Sequence, residues 1–170
     1  ALANSDVLFG CVDTSFGRYV LNRLAAYYNL PYFDLGVGLN ADGSGGIDHI
    51  AGAVHYLKPG GSSLLSRKAI NYEQLKAEAL YEVDPEAYAE HLSKGYIEGV
   101  VEARPAVISV NMHYASLAIL EFLSRTHDVR VSGNAAYAMY RFTYTHDFRE
   151  HEPDGEPCKE LSNKVGLGDR

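Results

Sequence analysis

Val7-Leu8-Phe9-Gly10-Cys11-Val12 is an almost unbroken apolar run, the pattern of a strand buried on both faces of a parallel sheet. Asp13-Thr14 follows at once. Tyr19, Val20, Leu24, Tyr27 and Tyr28 then recur at helical spacing and share one broad face, which predicts a helix with Asp13 or Thr14 as its N-cap. Pro31 stops it, and Tyr32-Phe33-Asp34-Leu35-Gly36-Val37 restarts as a second strand. Strand, helix and strand within about thirty residues make a βαβ unit, which closes right-handed onto a parallel sheet.

The pattern then changes. Asn40 to Gly46 reads NADGSGG, a turn, and Ile47 to Leu57 follows as a strand ended by Lys58-Pro59-Gly60-Gly61. So short a glycine-rich link suits antiparallel pairing rather than another crossover. Residues 71 to 93 predict two short helices split by Asp84-Pro85. Pro105 is predicted to open the longest helix, to about Arg125. Val107, Val110, Met112, Leu117, Leu120 and Leu123 make it apolar on most faces, so it is expected to be buried in the core or against a partner subunit. Tyr137 to Tyr144 alternates like an edge strand. From His146 the chain is polar, with two prolines and several glycines.

The expected architecture is therefore α/β, a three-layer Rossmann-like partial domain over residues 1–145, with a parallel βαβ start, antiparallel strands and a long buried helix. Residues 146–170 are expected as a polar surface tail. A doubly wound sheet normally opens strand, glycine-rich turn, helix, and no G-x-G-x-x-G occurs in this chain. The sequence enters a strand directly after Ala1-Leu2-Ala3, which reads as the remainder of a longer fold.

Composition narrows the function classes. The chain's 170 residues suit one domain with a real core. Fifteen Lys and Arg against 22 Asp and Glu give a net charge of -7, a surface that repels phosphate backbones, so nucleic acid is not an expected partner. No stretch approaches the roughly 20 apolar residues of a membrane span, and no basic leader precedes the first apolar run. Cys11 and Cys158 stand far apart with no Cys-x-x-Cys pair, so a reducing cytoplasm is the expected location.

Asp13 is the leading chemical candidate. It ends the first strand on the carboxyl side, where ligands of open α/β sheets bind, and a carboxylate there can hold a Mg²⁺ ion bridging nucleotide phosphates. The alternative is an Asp N-cap worth about 1 kcal/mol. Arg18 and Asn22, at i and i+4, lie on one side of the following helix; Arg18 meets either a phosphate or an acid in a solvated ion pair. Gly36-x-Gly38 lets a backbone approach a ligand or merely loosens a strand end. The histidines show no H-x-x-x-H or H-E-x-x-H spacing, so zinc is not expected. His113 is expected as a hydrogen-bonded core residue. Ser62, Ser63 and Ser66 lack a nearby His-Asp arrangement. Cys11 is expected to be packed and inert, and Cys158 accessible.

DVLFGCVDTSFGRYVLNRLAAYYNLPYFDLGV resembles the second half of the adenylating domain of ThiF/HesA/MoeB proteins, which share their fold with ubiquitin-activating enzymes. The matching features are Cys11-Val12-Asp13-Thr14, Arg18, Asn22 and Pro31 through Gly36. GGIDHIAGAVHYLKPGG resembles the family's antiparallel strand and Pro-Gly turn, and RPAVISVNMHYASLAILEFL its helix beside the dimer interface. The resemblance spans most of residues 4 to 125. It implies binding of ATP with Mg²⁺, adenylation of the C-terminal glycine carboxylate of a ubiquitin-like or sulfur-carrier protein, and a homodimer. Asp13 is implied as the catalytic, metal- and phosphate-side acid, with Thr14 and Arg18 beside the nucleotide; Thr14 stands where Asn is usual.

Other features depart from the family. Its glycine-rich loop, ribose-binding acid and phosphate lysine belong to an N-terminal half that this sequence does not contain. Ser62-Ser63-Leu64-Leu65 follows the Pro-Gly turn where a zinc-binding Cys-x-x-Cys is usual, and Glu90 to Arg104 has no sulfur-accepting cysteine. Alone, the chain is expected to be inactive. The alternatives are a Rossmann-like piece of an NAD- or FAD-dependent oxidoreductase and a non-catalytic dimerisation module built on the long helix.

Overall fold

The structure is a computed structural model that describes residues 2–41, 44, 46–97 and 107–168. β1 (Leu8–Gly10) leads through a short turn into α1 (Ser15–Tyr27), followed by β2 (Tyr32–Ala41) and β3 (Ile47–Leu57). α2 (Tyr72–Val83) and α3 (Pro85–Ser93) come next, then α4 (Ile108–His127), β4 (Met139–Thr143) and β5 (Phe148–Glu152). The strands form one sheet in the order β1-β2-β3-β4-β5, in which β1 and β2 are parallel and every later pairing is antiparallel. The predicted βαβ start and antiparallel continuation are both present. Pro105, predicted to open the long helix, lies outside the described residues.

Helices cover both faces, which makes the domain three-layered. Along β2 the side chains alternate: Leu35 and Leu39 join Val54, Phe142 and the Val110, Tyr114 and Ala118 stripe of α4 in one core. On the opposite face Tyr32 and Leu57 pack with Ala25 of α1 and with Leu64 and Ile70. The Tyr114 ring crosses the sheet where Gly52 has no side chain; a Cβ there would lie 2.5 Å from the ring. Its hydroxyl donates to the Phe142 carbonyl at 2.6 Å.

Three local readings change. Tyr140 and its neighbours in β4 are interior, since β5 pairs along the whole of β4 from Met139↔Glu152 to Thr143↔Phe148; the alternation marked a strand but could not say whether a polar strand lay beyond it. The segment 146–170 accordingly contributes β5, and Cys158 and Leu161 bury against Ala26 of α1. Arg67 ties that segment down, its guanidinium donating to Asp154, Ser62 and the Ala138 and Tyr56 carbonyls. The third concerns α4: its inner stripe is buried, whereas Ile108, Met112, Ile119, Leu120 and Leu123 are exposed on its outer side. Among the described residues no helix is long and apolar enough to cross a membrane.

Candidate functional site

β1 is only three residues long and pairs with β2 at Tyr32, Phe33 and Asp34. Beyond Asp34, β2 runs on past the end of β1, and a cleft of about 530 Å³ opens there. Cys11, Val12 and Asp13 line it from the end of β1, Arg18 from α1, Leu35, Gly36, Val37 and Leu39 from β2, and Asn111, Tyr114 and Ala115 from α4. This is the carboxyl end of the parallel pair, where open α/β sheets bind ligands, and its size suits a small molecule. Asp13 and Arg18 are thus brought to one cavity.

Thr14 takes a different position. It is the N-cap of α1, and its hydroxyl accepts from the Gly17 N–H at 3.1 Å. The next free amides of the helix are also engaged: the Glu78 carboxylate of α2 accepts from Ser15 N at 2.8 Å and from Phe16 N at 2.7 Å. An anion at a helix N-terminus is favoured by both the amides and the macrodipole, and here a side chain of the same chain fills that role.

Arg18 is paired within the fold rather than in a solvated ion pair. Its Nε and Nη2 donate to Asp34, the Nη2 bond being 2.5 Å, and the Asp34 side chain is fully buried. Tyr32 donates to the same carboxylate at 2.8 Å. Burial and the neighbouring Asp34 charge push the Tyr32 hydroxyl far above its ordinary range, so it remains a donor. Burial opposes the Arg18 charge, but the bonds to Asp34 outweigh it and hold Arg18 above its usual range. The guanidinium lies against Gly36, where an added Cβ would sit 2.9 Å from Nη2; this close approach is what the first glycine of Gly36-x-Gly38 provides. Asn22, one turn on, is buried and its side-chain oxygen accepts from Leu64 N at 2.9 Å.

The thiols exchange their expected environments. Cys11 follows the last strand residue and is exposed in the cleft, while Cys158 is buried and accepts from the Ser63 hydroxyl at 3.0 Å. His113 is half-buried, ringed by Tyr114, Phe142 and Tyr144.

Asp13 is exposed at the cleft mouth. One carboxylate completed by water and phosphate oxygens is a common Mg²⁺ arrangement, and Asp13 fits that part. Among the described residues no three His, Cys, Asp or Glu side chains form a group that could hold a metal ion. The groups on this side that would cradle phosphates are committed to Glu78, Thr14 and Asp34. Compared with known proteins, the chain matches no protein-family model and no curated protein.

Two residues that anchor the site's elements without lining the cleft escaped sequence reading. Asp34 carries a signal in retrospect, a lone acid inside an apolar strand, which must find a cationic partner if buried. Glu78 carries none, since nothing local distinguishes it from the other acids of a polar helix.

Proposed function

We propose that the chain forms the metal-side part of an ATP-dependent adenylating site in the cytoplasm, one that activates the C-terminal carboxylate of a ubiquitin-like or sulfur-carrier protein as ThiF/HesA/MoeB proteins do. What carries the reading is the cleft at the end of β1, which brings Asp13 and Arg18 together beside the open stretch of β2. Mg²⁺, when bound, supplies charge neutralisation at the phosphates. Asp13 would hold it. Arg18, fixed by Asp34, acts through its field rather than by direct donation, and Leu35, Val37, Leu39 and Tyr114 form an apolar wall that limits water. Catalysis of this kind is mostly positioning; the donors that grip the phosphates are then supplied from outside this chain's described residues.

The test is calorimetric titration of the full-length protein with ATP, with and without Mg²⁺. Asp13→Asn is expected to abolish the Mg²⁺-dependent gain in affinity while leaving metal-free binding within about twofold. An unchanged Mg²⁺ effect in the variant, or no ATP binding by the full-length protein, contradicts the assignment. The second element of the proposal is a homodimer through the outer side of α4, supported by the exposed Ile108, Met112 and Leu120.

A further inference from the structure

A second cavity, of about 380 Å³, lies on the face of the sheet away from α4. The register builds its floor. Gly36 pairs with Ala53, which pairs with Arg141, and Gly38 pairs with Ala51, so two rows of small residues run across β2 and β3 with Arg141 at the end of one. The Arg18 guanidinium already covers Gly36, while Gly38, Ala51 and Ala53 carry nothing larger than a methyl, so a ligand there reaches the sheet backbone beside Gly38. The row before them is Asp34, His55 and Met139.

The rim is cationic. Arg18, Arg67, Lys68 and Arg141 line the cavity together with His49 and His55, and among the described residues no Asp or Glu lines it, in a chain whose net charge is -7. Their commitments differ. Arg67 is spent on Asp154, Ser62 and two carbonyls, and Arg18 on Asp34, so these two contribute field. Arg141 is half-exposed and makes a single long ion pair to Glu150 at 3.3 Å. Lys68 is exposed and has no carboxylate within ion-pair distance among the described residues.

One further observation points to a ligand. His55 is only 4% exposed, yet its Nδ1 has no hydrogen-bond partner, and a buried polar atom left unpaired calls for an explanation. Burial, with Arg67, Arg18 and Arg141 adding to it against Asp34, lowers its pKa to about 3, so the ring is neutral and can present either a donor or an acceptor. Lys68 holds a left-handed φ of 56°, fixed by the bonds from Lys68 N to Leu65 O and from Ala69 N to Leu64 O.

We infer that this cavity binds a small phosphate-bearing anion, with Lys68 and Arg141 as its direct cationic contacts and Gly38, Ala51 and Ala53 as its floor. A phosphate oxyanion suits a pocket where Lys68 stands outside the ion pairs and Arg141 has only one exposed carboxylate partner, since each charge-assisted hydrogen bond is stronger than a neutral one. The inference does not depend on the adenylating reading: the two cavities meet only around Arg18, Gly36 and Val37, and neither Lys68 nor Arg141 lines the Asp13 cleft.

The experiment is an amide-shift titration of the full-length protein, labelled with ¹⁵N, using inorganic phosphate in one arm and glycerol phosphate in the other. The expected result is saturable movement of the Gly36, Gly38, Gly52 and Ala53 signals. Equal affinities would identify the free ion as the source, and tighter binding of the ester a phosphorylated metabolite. Lys68→Gly removes the ammonium and relieves the positive φ, so the fold is kept; combined with Arg141→Ala it is expected to weaken binding about tenfold or more. Saturation unaffected by the double variant, movement confined to Cys11–Asp13, or no saturable movement in either arm would overturn the inference.

Discussion

Asp34 bears its charge at zero exposure and is matched by Arg18 and Tyr32 alone among the described residues. Removing one partner of a buried ion pair costs about 3–5 kcal/mol because the other charge is left uncompensated. Asp34→Asn is therefore expected to lower unfolding stability by about that amount, measured by urea denaturation, whereas replacing Arg18 and Asp34 together by Met and Leu costs far less than the sum of the single changes. Equal and additive losses would contradict the pairing. His55 makes a pH prediction at the same scale. Its folded pKa lies near 3 against an ordinary 6.5, so between those values the unfolded chain binds the proton that the folded chain refuses. Stability is fully present above about 6.5 and is lost as pH falls towards 3, at a slope of at most about 1.4 kcal/mol per pH unit. Urea midpoints at pH 7 and pH 4.5 are expected to fall more in the wild type than in His55→Gln. Asp154 acts separately and lower: burial opposes its ionisation, but the bonds from Ser62 and Arg67 prevail and hold it below its ordinary range, so its stabilisation begins to fade only as pH drops through the ordinary carboxylate range. A parallel loss in both proteins would contradict the assignment to His55.

α1 begins where the sequence places it because Thr14 supplies a cap and Glu78 two further acceptors. The cap was legible in local sequence; the Glu78 contact was not, since it spans 62 residues and depends on how α2 docks. The split between α2 and α3 at Asp84-Pro85 was also legible, and Asp84 caps α3 by accepting from Ala87 N at 3.0 Å. α4 shows the limit of periodicity. Its apolar positions wrap most of the helix, yet only the Val110, Tyr114 and Ala118 side meets the sheet, and pattern alone does not distinguish a core contact from an unpartnered stripe. Pairing of two copies through that stripe predicts about twice the monomer mass by light scattering of the full-length protein, and a shift to monomer in Met112→Glu/Leu120→Glu with the far-ultraviolet spectrum unchanged. A monomer in the wild type at high concentration contradicts it.

At the scale of the molecule, the change from the parallel β1–β2 pair to the antiparallel β2–β3 pair was readable, because it rests on a helical crossover followed by a short glycine-rich link; the place of β4 beside β3 was not, since three helices separate them along the chain. The fifth strand was not: Phe148–Glu152 reads FREHE, mostly polar, and becomes a strand only because β4 offers it an edge. The cleft followed from topology, since the end of β1 at the parallel pair is where its loop residues must collect, and Asp13 was identifiable on that ground. Its actual walls, Tyr114 and Asn111 from α4, required the long-range packing of that helix. The Asp13 carboxylate as a ligand of nucleotide-bound Mg²⁺ is best tested by a crystal structure of the full-length protein with Mg²⁺ and a non-hydrolysable ATP analogue. The expected result is a metal ion held directly by an Asp13 oxygen; a metal and nucleotide bound with Asp13 outside the coordination sphere would contradict the assignment.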